Sequence, residues 1–218
     1  MYAESDYSNI REICWNPESG WAEAVEALEA TIKAAIGNGV RYIVEPVTRL
    51  VRDGSTCRGV KPDSGKEYNA DFVILSTGAY NAQLLADSFS DEPELQAGKR
   101  ISAAGVCETA IHLAEEQQER FKDTPVFVPD SNTTKGETMP PTPDGELKFI
   151  RDVKFANTIT YPKTGEEMMV PMLGGKLSQW TQPEAILSGL REEMATVIRG
   201  IYGKHVDGLE LARYRFCW

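Results

Sequence analysis

The chain has 218 residues, 41% hydrophobic and 26% charged, enough to bury a core in one large domain or two small ones. Its 33 acidic and 23 basic residues leave a formal charge of −10, a balance that argues against phosphate backbones and anionic lipid surfaces as partners. The first residues lack the apolar core of a signal peptide, and no apolar run approaches the roughly 20 residues needed to cross a bilayer, so a cytoplasmic setting with reduced thiols is expected.

Periodicity predicts a first helix over 17–37. Trp21, Val25, Leu28, Ile32 and Ala35/Ile36 recur at steps of three and four, while Glu23, Glu26, Glu29 and Lys33 take the other faces. Gly37-Asn38-Gly39 stops it. Val40–Val44 then reads as a β-branched strand, the helix-to-strand passage of an α/β fold. Val47–Arg52 and Cys57–Lys61 flank Asp53-Gly54-Ser55, a hairpin signal. A second turn at Asp63-Ser64-Gly65 leads to a short run ending near Asn69, which completes a three-stranded meander inserted in a larger sheet. Asp71–Ser76 is continuously apolar in its middle, as a strand covered on both faces would be. It ends in Thr77-Gly78-Ala79, and a short helix is expected from Asn81 with Leu84 and Leu85 inward.

The character changes near residue 100. A long strand is expected over 101–113, a polar helical turn over 114–121, and a short strand at Pro125–Val128. The stretch 129–146, with Pro140, Pro141 and Pro143, reads as a surface loop or lid. Strand-like runs follow at Glu146–Ile150 and Thr158–Tyr161. Pro183 opens a second helix with Ile186, Leu187, Leu190, Met194, Val197 and Ile201 on one face, and an alternating stretch, Leu209–Trp218, closes the chain.

Single residues carry little chemistry. Cys14, Cys57, Cys107 and Cys217 stand far apart, as do His112 and His205, so no metal site is predicted. His112 lies in an apolar run and is expected to be packed and hydrogen-bonded; His205 is expected to be exposed. Gly174-Gly175 reads as a hinge or turn, and neither GxGxxG nor GxxxxGK[ST] occurs.

The order of features is more informative. Asn16-Pro17-Glu18-Ser19-Gly20-Trp21-Ala22 opens a helix, Gly39-Val40 leads a strand, and Val47 begins the meander. Ala70-Asp71 then precedes Val73-Ile74-Leu75-Ser76-Thr77-Gly78-Ala79-Tyr80, and Leu84-Leu85 close the unit. This order resembles the middle of the FAD-dependent amine oxidoreductases, the family of sarcosine oxidase, fructosyl amino acid oxidase and the pipecolate or saccharopine oxidases. Phe121–Val126 is similar to that family's Tyr-Lys-x-x-Pro-Val, Asp144–Phe149 to its Asp-Gly-Glu-Ile-Lys-Ile, and Arg215–Trp218 to its Arg-x-Cys-Trp/Tyr strand.

The resemblance implies an α/β plus α+β fold: a partial FAD-binding Rossmann-like sheet with a β-meander insert, and a mixed-sheet substrate domain. It puts the partial FAD-binding domain at 1–97, with 208–218 returning to it, and the substrate-binding domain at 98–207. Val47 would lie near the adenine, and Thr77, Gly78 and Ala79 would form the strand-end turn beside the cofactor. Cys217 matches the cysteine that carries flavin through a thioether, and Lys148 and Asp152 fall on the substrate side. The implied reaction is oxidation of a small secondary amine or N-substituted amino acid, with hydride passing to FAD and O₂ as acceptor.

Two of the family's features have no counterpart in this sequence: the Gly-rich βαβ unit that holds the pyrophosphate and the Gly-rich segment after Cys-Trp. The expectation is therefore an internal fragment that binds FAD weakly or not at all and is inactive alone, from a longer cytoplasmic or peroxisomal parent. The alternative is a non-enzymatic α+β protein-binding module. An unrelated hydrolase or transferase ranks last, because no nucleophile–base pair is legible.

Overall fold

A computed structural model describes residues 2–131, 134–172 and 179–218. Gly174-Gly175 lies outside the described residues. The chain divides into two units, one made of Met1–Trp21, Gly105–Phe155 and Gly175–Trp218, the other of Ala22–Ala104 and Ala156–Gly174.

The first unit is built on four antiparallel strands, β4 (Gly105–His112), β5 (Gly136–Thr138), β6 (Glu146–Phe155) and β9 (Arg213–Cys217), in the order β5-β6-β4-β9. Alternation along these strands separates two faces. Cys107, Ile111, Leu147, Phe149, Tyr214 and Phe216 point to one of them and are buried with Met194, Val197, Ile198, Ile201 and Tyr202 of helix α4 (Ser188–Tyr202). Each such large side chain contributes about 1.5–3 kcal/mol of burial. The hydroxyl of Tyr202 is satisfied in this core by Thr138 Oγ1 at 2.8 Å, and Gly136 lets β5 approach β6 where a Cβ would sit 2.1 Å from the Ile150 carbonyl oxygen. The amino-terminal segment is tied to α4 through the Asp6 N–H, which donates to the Gly200 carbonyl at 2.7 Å. Tyr2 stacks on Phe127 at 4.4 Å.

Several expectations shift here for identifiable reasons. Pro183 opens a separate 3₁₀ turn, Pro183–Ala185, and Ile186 is extended, so α4 starts only at Ser188. Ile186 is buried, whereas Leu187 lies 82% exposed. The loop over 129–146 contains the short strand β5, while Pro125–Val128 contributes only a bridge from Phe127 to Thr138. The polar helical turn is α3 (Glu115–Phe121). His112 occupies an outward position at the end of β4 and is exposed, not packed. The tail 208–218 supplies β9, whose pairing of Val106 with Cys217 and Glu108 with Arg215 places it in this unit, together with Met1–Trp21.

The second unit holds the meander: β1 (Val47–Asp53), β2 (Thr56–Pro62) and β3 (Tyr68–Asn69), all antiparallel. Gly54 supplies the positive φ of +56° that closes the first hairpin. Helix α2 (Asn81–Ser88) buries Ala82, Leu84 and Ala86, and Ser88 Oγ accepts the Leu50 N–H of β1 at 2.9 Å. A hairpin of β7 (Thr158–Thr160) and β8 (Glu167–Met169) adds Tyr161, Met168 and Val170 to a small core around Ala86.

Helix α1 (Ala24–Gly37) begins later than 17, because Asn16–Ser19 forms a turn in which Asn16 Oδ1 accepts the Glu18 N–H at 3.0 Å. None of its residues is buried. The runs 40–44 and 71–76 have strand composition but make no ladder among the described residues. Val73 and Leu75 are half-buried, whereas Phe72 and Ile74 are 90% and 88% exposed, so 71–76 is covered on one face rather than two. The architecture is mixed α/β with antiparallel sheets. No parallel Rossmann-like sheet forms among the described residues.

Candidate functional site

The face of the four-stranded sheet opposite the apolar core is polar, and strand register assembles it. Period-two alternation along Arg213-Tyr214-Arg215-Phe216-Cys217 sends Tyr214 and Phe216 into the core and turns Arg213, Arg215 and Cys217 outward. Opposite them on β4 stand Ala110, Glu108 and Val106, and on β6 Lys148 and Ile150 continue the same rows. Trp180 lies against this surface, with the Arg213 guanidinium 4.3 Å, the Arg215 guanidinium 4.8 Å and the Lys148 ammonium 5.9 Å from its ring centre. Three cations therefore meet one indole, an arrangement that ring–cation attraction favours.

Two of these cations are neutralised at once. Glu108 accepts a hydrogen bond from Arg215 Nε, and Glu146 accepts one from Arg213. Glu108 is only 3% exposed, a setting in which a carboxylate needs its partner. Its Oε2 also lies 3.4 Å from the Cys217 sulfur. Burial first, and then Glu108, push the Cys217 thiol up, with Arg215 opposing. On the core side of the sheet, burial raises the Cys107 thiol to about 12. Two donors stay uncommitted among the described residues: the Lys148 ammonium has no carboxylate partner, and Arg213 Nε is buried without an acceptor.

Lys148 and Cys217 thus share one face, with Cys217 four positions along β4 from the row of Lys148. Asp152 likewise sits four positions beyond Lys148, about 13 Å along an extended strand, in a stretch where β6 bulges against β4, and it is exposed. Its N–H donates to the Lys135 carbonyl at 2.9 Å.

The other candidates lie in the second unit. Val47 opens β1 opposite Pro62 and is exposed. Thr77 Oγ1 bonds Asn81 Oδ1 at 2.6 Å, and the corner turns through Gly78 at φ +52°. A Cβ at Gly78 would meet nothing within 4 Å, so space is open on that side of the corner, while the Tyr80 N–H is taken by the Thr77 carbonyl at 3.0 Å. No hydrogen bond among the described residues joins Val47 to this corner. Sequence reasoning missed Glu108, Arg213, Arg215 and Trp180. The legible signals were an acid inside the apolar run Val106–Ile111 and the Arg-x-Arg-x-Cys alternation.

Among the described residues no cluster of three or more His, Cys, Asp and Glu could hold a metal ion, and no helix is long and apolar enough to cross a membrane. Residues 3–208 match the model of the family described as FAD dependent oxidoreductase. No curated protein sequence matches the chain. Solved structures similar to it include fructosyl amine:oxygen oxidoreductase (Amadoriase I) from Aspergillus fumigatus, with TM-score 0.71 and 23% identity, covering 91% of this chain and 42% of that one. Fructosamine oxidase (Amadoriase II) from the same organism, in complex with FSA, gives 0.73 and 20% over 91% and 42%. Fructosyl peptide oxidase from E. terrenum gives 0.66 and 20% over 91% and 44%. At these identities the likeness is one of fold, and the chain spans less than half the length of each neighbour.

Proposed function

Since the chain belongs to the FAD dependent oxidoreductase family, whose members use FAD, we propose that it forms part of an oxidase acting on secondary amines, with N-fructosyl amino acids as the favoured class. The observation that carries this reading is the polar sheet face, where Lys148 and Arg213 share one row and offer uncommitted donors on the face that also carries Cys217. The names of the structural neighbours, which oxidise fructosyl amines or fructosyl peptides, support the narrower substrate class.

Bound FAD supplies the hydride acceptor, with dioxygen as terminal oxidant. On the second unit, Val47 and Thr77–Ala79 would contact the nucleotide through backbone groups; on the first unit, Cys217 would be the flavin-side cysteine. Lys148 draws the substrate carboxylate onto the sheet, while Trp180 shields that contact from water and strengthens it. Asp152 stands too far along β6 for one amino acid to bridge it to Lys148. It would instead meet the far end of a longer substrate, which favours a fructosyl amino acid over N-methylglycine. The division expected from the sequence, FAD-binding over 1–97 with 208–218 and substrate over 98–207, becomes in this proposal Val47 and Thr77–Ala79 on the second unit, with Lys148 and Cys217 on the polar face of the first.

Ligand-observed NMR with a fructosyl amino acid tests the substrate side on this chain directly. Binding is expected in the native chain and about ten- to a hundredfold weaker in Lys148→Gln, since a charge-assisted hydrogen bond is worth about 1.5–3 kcal/mol. The corresponding amine without its carboxylate should not distinguish the two. Equal binding of the fructosyl amino acid by both chains would refute the assignment of Lys148, and no binding by either would refute the substrate face.

A further inference from the structure

We propose that Glu108 is a positioning residue that holds Cys217 in its neutral S–H form and aims it along the polar face, while Arg215 sets how much of the carboxylate's charge the sulfur feels. This goes beyond the flavin reading and stands whether or not the sulfur ever carries a flavin.

The geometry is specific. Glu108 pairs directly with Arg215 across the β4–β9 ladder, and Cys217 lies one row further, opposite Val106, so all three side chains leave the same face. A single oxygen, Oε2, receives both the Arg215 Nε–H and the Cys217 S–H, the latter at 3.4 Å. The carboxylate is nearly inaccessible, whereas Cys217 is half-buried and reachable from solvent. A negative charge accepting the S–H proton stabilises the thiol against the thiolate, and a guanidinium on the same oxygen weakens that effect.

The other ionisable groups do not compete for this contact. Cys107 points to the opposite face of β4, next to Arg151 of β6. On the polar face β6 brings Lys148, which lies in the row of Ala110 and Arg213, and its bulge carries exposed Asp152 and Lys154. A buried ion pair that merely braces the sheet would make the same contacts. The two differ in what happens to sulfur chemistry when the charge is removed.

Alkylation of the full chain by iodoacetamide, followed for each cysteine by peptide mass across pH, separates them. The reaction forms an S–C bond, breaks the C–I bond, expels iodide and passes the thiol proton to water. In the native chain the Cys217 rate profile is expected to have its midpoint above the ordinary thiol value of about 8.5. Glu108→Gln should lower the midpoint and speed alkylation at neutral pH about threefold per unit, because tenfold more thiolate is partly offset by its weaker nucleophilicity. Glu108→Asp, which keeps the charge but draws the carboxylate back from the sulfur, should fall between the native and Glu108→Gln profiles, and Arg215→Gln should shift the midpoint upward and slow the reaction. A Glu108→Gln profile that is unchanged or shifted upward would overturn the proposal. Should that variant fail to fold, a native midpoint at or below the ordinary thiol value would overturn it equally.

Discussion

Replacing Arg215 by alanine is expected to destabilise the first unit by about 3 kcal/mol, the lower end of the range for breaking a buried ion pair. The cost follows from what is left behind. Glu108, 3% exposed, would keep its charge in the interior with only the Cys217 S–H as partner. The converse change, Glu108→Gln, should cost far less, because the Arg215 side chain is 37% exposed and can turn its charge to water. Urea unfolding of the two variants checks the asymmetry. A native stability of about 5–15 kcal/mol leaves room to measure both, and equal losses would mean that the pair is not buried as described.

Phe149→Ala should cost still more, about 3–5 kcal/mol. Phe149 is fully buried in the middle of β6, between the flanking strands β4 and β5, and belongs to the core that α4 covers. The backbone of three hydrogen-bonded strands fixes the surrounding wall, so little collapse into the vacated space is available and the cavity persists. The midpoint of urea unfolding should fall at an unchanged slope. A loss under about 1 kcal/mol would show that this part of the sheet repacks freely.

Much of the fold was legible because local rules decided it. Asp53-Gly54 fixed the hairpin of the meander through a positive φ that glycine alone takes at no steric cost, and the faces of α4 and β9 followed from their periods. Boundaries failed where one residue overruled a pattern. Pro183 begins a turn, extended Ile186 separates it from α4, and Leu187 is thrown outward despite its helical spacing. The runs 40–44 and 71–76 failed differently. Their composition is that of strands, but a ladder is a property of two segments, and composition alone names no partner.

The site was half legible. Lys148 and Cys217 came from a family likeness, and strand register then placed them on one face, which no spacing along the chain reveals. The signal from Glu108 was visible as an acid within an apolar run. Pairing it with a residue 107 positions away required the β4–β9 register. Asp152, matched to the substrate side with Lys148, lies about 13 Å along β6 from it.

Retention of FAD by this chain depends on what the second unit offers it. Its corner at Gly78 is open and its strand-like runs make no ladder among the described residues, so FAD is expected to gain too few contacts there to offset the entropy that binding removes. Calorimetric titration of FAD into this chain measures that balance. Heat that fails to saturate, corresponding to a Kd weaker than about 1 mM, is the expected result, and micromolar affinity with retained flavin colour would contradict it.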